Sequence, residues 1–101
     1  MTSTATEEKK APALDFTALV LSLGSSAIVH LGEAPDPTTG QKREQPDFSM
    51  AQQSIDLLAM LQEKTRGNLT AEEARFLENM LFDLRMLFVQ VSKGQSPAKS
   101  P

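Results

Sequence analysis

The chain has 101 residues, with 10 Lys or Arg against 13 Asp or Glu for a net charge of −3, and it contains no Cys, Trp or Tyr. That length bounds a single domain, and the absence of cysteine excludes a disulfide framework and thiolate chemistry, which fits a reducing cytoplasm. Scattered basic residues in an acidic chain leave no electrostatic footprint for a phosphate backbone, so nucleic acid is not an expected partner.

Residues 1–13, MTSTATEEKKAPA, are polar and without periodicity, and are expected to be a disordered tail. Glu7 and Glu8 stand beside its lysines and the first apolar run starts late, so no signal peptide is expected. Asp15 is a good N-cap for FTALVLSLGSSAIVHL, predicting a helix over 15–31. At 100° per residue Phe16, Leu19, Val20, Leu23, Ala27 and Leu31 share one face, and Leu21 and Ile28 widen it, while Ala18, Ser22, Ser25 and Ser26 lie behind. The uncharged run from Phe16 to Val29 falls short of the roughly 20 residues of a membrane span, so burial against protein is expected. Gly24 followed by two serines marks either a tolerated glycine facing a crowded core or a close helix crossing, within or between chains.

Gly32 should end that helix, and Pro35, Pro37 and the stretch Asp36-Pro37-Thr38-Thr39-Gly40 have turn chemistry, with room for a short hairpin at Thr39-Gly40. The connection 32–48 is long enough to cross a bundle, so either direction of the first helix is compatible with it. A second helix is predicted over 49–66, opened by a Ser49/Gln52 box, with Met50, Leu57 and Leu61 flanking Leu58 and with Ala51 and Ile55 adjoining. Lys64 and Arg66 suit its last turn, Gly67 its αL stop, and the tight link to Thr70 makes the second and third helices an antiparallel αα-hairpin.

The third helix, predicted over 71–92, has the plainest signals. Thr70 and Glu73 have capping-box spacing, and Phe76, Leu77, Met80, Leu81, Leu84, Leu87, Phe88 and Val91 recur at three- and four-residue steps. Opposite that stripe Phe82, Met86 and Val89 form a second, narrower apolar strip in register. Lys93 and Gly94 supply a stop, and 93–101 is expected to be a second disordered tail.

The stretches DFTALVLSLGSSAIVHLGE, PDPTTG and IDLLAMLQEKTRGNLTAEEARFLENMLFDLRMLFV together resemble the small bacterial family known as domain of unknown function 1844, over roughly residues 14–91. The likeness includes loop residues and the KTRGNLT link. It implies a compact helical bacterial protein and brings no activity and no catalytic residue with it.

His30 and Glu33 have H-x-x-E spacing with Asp36 nearby, but neither a second His nor a Cys completes a ligand set. Asp56 and Asp83 lie on different helices, and no phosphate-cradling or nucleophile-elbow motif occurs. The expectation is therefore an all-α, three-helix domain over 14–92 with no catalytic, metal or cofactor site. Its expected role is that of a cytoplasmic protein-interaction module, acting as a homo-oligomer (dimer or higher) or on an unidentified protein partner. The candidate surface comprises Leu21, Ile28, Phe82, Met86 and Val89. The alternative is a peripheral membrane protein whose apolar first helix reaches lipid.

Overall fold

The computed structural model describes residues 15–94. The tail expected at 1–13 lies outside the described residues, as does the 93–101 tail apart from Lys93 and Gly94. Three helices follow one another: α1 (Phe16–His30), α2 (Phe48–Lys64) and α3 (Ala71–Ser92), and among the described residues there is no strand. The fold is all-α.

Side chains and backbone close each helix locally. The Asp15 carboxylate accepts from the Ala18 N–H at 2.8 Å. At the other end of α1, Gly32 stands at φ +83° while its N–H reaches the Val29 carbonyl and the Glu33 N–H reaches that of Ile28. These paired bonds form a Schellman stop, in which a left-handed residue satisfies carbonyls that the helix leaves open. The Thr70 hydroxyl accepts from the Glu73 N–H at 3.0 Å and the Glu73 carboxylate from the Thr70 N–H at 2.9 Å, as the capping-box spacing predicts.

The start of α2 differs from expectation. Asp47, not Ser49, is its N-cap, accepting from the Met50 N–H at 3.0 Å. The Asp47 N–H is itself fixed by the His30 carbonyl at 2.7 Å, and Phe48 lies edge-on to Phe88 with centroids 5.3 Å apart. These two long-range ties draw Phe48 into the helix and leave Ser49 as its second residue. The helix ends at Lys64, so Arg66 lies beyond the last turn, where it pairs with Glu63. The hairpin at Thr39-Gly40 is a tight turn from Asp36 to Gln41. The Thr38 N–H donates to the Asp36 carboxylate at 2.7 Å, and Gly40 takes φ +72°.

One end of the bundle packs Leu31 from the end of α1, Ala51 from the start of α2 and Val91 from the end of α3. That grouping sets α1 antiparallel to α2 and parallel to α3, an up-down-up bundle. The main core joins Val20, Ala27, Ile55, Leu58, Leu77, Leu81 and Leu84. Small residues let the helices approach: Gly24 and Ala27 on α1, Ala51 and Ser54 on α2, all buried. Gly24 faces α3, where an added Cβ would lie 2.5 Å from the Met80 sulfur. Of the two readings of Gly24, the glycine facing a crowded core fits, since the atoms nearest that Cβ belong to the Met80 side chain and not to the backbone of another helix.

The core-facing arcs of α1 and α2 are narrower than hydropathy suggests. Leu19 on α1 and Met50 and Leu57 on α2 are exposed, although the sequence assigns them to inward faces. On α2 the inward arc instead centres on Ala51, Ser54, Ile55 and Leu58, with polar Ser54 inside it.

Candidate interaction surface

The main stripe of α3 is consumed by the core: Leu77, Leu81, Leu84 and Val91 are buried and Phe76, Met80, Leu87 and Phe88 pack around them. The second strip is not. Phe82 is 63% exposed, Met86 49% and Val89 46%. Because a helix turns 100° per residue, side chains at i, i+4 and i+7 that avoid one packed face share another. Here they form one wall of a shallow groove of about 450 Å³ whose opposite edge is Gln62 of α2, with Glu78 and Arg85 bordering it. The groove is apolar at its centre and charged at its margins.

The other two candidates lie on α1. Leu21 is 51% exposed. Ile28 is half-buried and packs on the main core, so part of its side chain is already committed there. Neither residue joins Phe82, Met86 and Val89 in the α3 groove. An exposed set absent from the sequence-based surface is Met50, Leu57 and Met60 on α2. Its signal was the seven- and three-residue spacing of those side chains, which the sequence reading assigned in part to the core face.

His30 and its acidic neighbours are placed by the end of α1. The His30 Nδ1 lies 2.9 Å from the Ser26 carbonyl oxygen, which accepts only, so Nδ1 carries the proton. Hydrogen bonds from Thr38, first its backbone N–H and then its hydroxyl, hold the Asp36 carboxyl below the ordinary carboxylate value; a bond from the Thr39 backbone and the charge of His30 act the same way. A groove of about 580 Å³ separates the serine face of α1 from the Pro35–Pro37 segment, with His30 and Asp36 on its lining. The two titratable groups that line it are engaged locally: His30 by Ser26, Asp36 by its own turn. Among the described residues no group of three His, Cys, Asp or Glu side chains is placed to hold a metal ion. Asp56 accepts from Gln52 on the surface of α2, and Asp83 is exposed on α3. No helix among the described residues is long and apolar enough to cross a membrane.

Residues 13–90, most of the chain and all three helices but for the last two residues of α3, match the family model described as domain of unknown function DUF1844. The chain belongs to the DUF1844 family. No curated protein and no solved structure matches it. The family description carries no activity, so a functional reading of this DUF1844 domain starts from its own surface.

Proposed function

We propose that the domain is a helical protein-interaction module, self-associating or docking on another protein, whose primary contact is the Phe82/Met86/Val89 strip of α3. The observation that carries this reading is the exposure of those three side chains in one register, on a helix whose opposite face packs into the core. Burial of each such side chain is worth roughly 1.5–3 kcal/mol before the costs of association. Leu21 on α1 offers a second, separate point of contact. The reading includes no catalytic step, and its setting is the cytoplasm.

The lipid alternative is less well supported, because α1 directs Val20, Gly24 and Ala27 into the bundle and exposes only Leu19 and Leu21 of its large apolar side chains. The test is the double substitution Phe82→Asp and Met86→Asp. Both sites are exposed, so helix content and melting should match the parent, while self-assembly and chemical crosslinking to neighbours in cell extract should both disappear. Adducts that persist unchanged in a folded variant would remove the strip from consideration.

A further inference from the structure

The charges along the α3 strip point to its occupant. At 3.6 residues per turn Glu78, Phe82, Met86, Val89 and the C-cap Lys93 fall on one face, and all five are exposed. An acid stands at the N-terminal end of this face, a base at the C-terminal end and apolar side chains between them. We infer that the occupant is a second copy of this chain, its α3 antiparallel to the first about a twofold axis that passes between Arg85 and Met86. The inference rests on the strip being an interaction surface and deepens that reading.

In this register Phe82 meets Val89 of the second copy, and Glu78 meets Lys93 of the second copy. Twofold symmetry makes each of these contacts twice. The two Met86 side chains lie together at the axis beside the Arg85 stems, whose methylenes cover apolar surface while the guanidinium stays in water. A parallel arrangement would set Glu78 against Glu78 and Lys93 against Lys93, where like charges repel. Helix dipoles add to the preference, since antiparallel neighbours bring opposite ends together. An apolar centre with a complementary charged rim is the common anatomy of a protein interface. One helix face is narrower than the roughly 800 Å² per partner of a standard interface, so this dimer is reversible and its population follows concentration.

Sedimentation equilibrium on the full chain at low salt tests the register. Glu78→Lys and Lys93→Glu should each raise the dimer dissociation constant about threefold to tenfold, and the double reversal should restore it. An equimolar mixture of the two single variants should form the heterodimer, because every rim pair is then attractive. The chain has no cysteine of its own, so Phe82→Cys and Val89→Cys variants, mixed and oxidised, should yield the mixed adduct in preference to either self-adduct. A parent chain that stays monomeric at every concentration overturns the second-copy assignment. A dimer that Phe82→Asp with Met86→Asp abolishes, yet which ignores charge reversal and gives the Phe82→Cys self-adduct, overturns the antiparallel register and leaves the strip reading standing. A dimer that survives Phe82→Asp with Met86→Asp overturns both.

Discussion

Gly24 is where a missing Cβ makes room for a side chain of another helix. A Cβ added there would overlap the Met80 sulfur, the far end of a flexible side chain that can shift, so Gly24→Val should cost about 1 kcal/mol, the low end of overpacking penalties, read from urea denaturation midpoints. Met80→Ala in the same chain should recover part of that loss, giving a coupling between the two sites that separate mutations would lack. Gly24 was visible in the sequence as a small residue in an apolar helix, but not its partner, since Met80 is brought opposite only by the bundle. Asp36 shows the same limit. Its turn was readable from Asp-Pro-Thr-Thr-Gly, whereas its nearness to His30 depends on where the loop returns. With its carboxyl held low by Thr38 and its neighbours, Asp36 binds fewer protons folded than unfolded in the interval between the two values. Its contribution is therefore fully present above the ordinary carboxylate value and is lost as pH falls through the lowered one. NMR titration should place the Asp36 midpoint below that of an unstructured aspartate, and Asp36→Asn should remove this part of the acid dependence of stability.

At the scale of elements, caps and stops were legible because they are local. Asp15, Gly32, Thr70 with Glu73, and Gly94 all act as their neighbours in sequence suggest, whereas α2 ends at Lys64 and leaves Gly67, at φ +87°, in the link beyond it. The start of α2 was not, because Ser49 and Gln52 satisfy a local rule that Asp47 overrides through the His30 carbonyl and the Phe48–Phe88 contact. Asp47→Ala should therefore destabilise the domain by about 1 kcal/mol, the usual worth of an N-cap, while Ser49→Ala should fall within about 0.5 kcal/mol of the parent, as surface changes do. Chemical denaturation of the two variants separates the assignments. The inward faces of α1 and α2 were overdrawn for a related reason. Hydropathy marks which residues favour burial, but in a three-helix bundle each helix has only a limited arc in contact with its neighbours. Small residues such as Ala51 and Ser54 occupy that arc where backbones come close, and Met50 and Leu57 are left at its edge.

For the whole molecule, an up-down-up bundle uses one face of α3 for its core and leaves Phe82, Met86 and Val89 outside. The α2–α3 hairpin followed from a short link, but the direction of α1 needed the contacts of Leu31 with Ala51 and Val91. The exposed strip was legible from periodicity alone, whereas its groove with Gln62 requires α2 in place. The groove at the end of α1 is likewise a product of the loop passing over the serine face. The most direct test of the strip as a contact between copies of the chain is the solution mass of the parent and of the Phe82→Asp/Met86→Asp variant, measured by light scattering over a range of concentrations. The parent should rise from its monomer mass of 11.0 kDa toward twice that value while the variant stays at the monomer mass with its helix content unchanged. Identical mass curves for the two proteins would contradict the account.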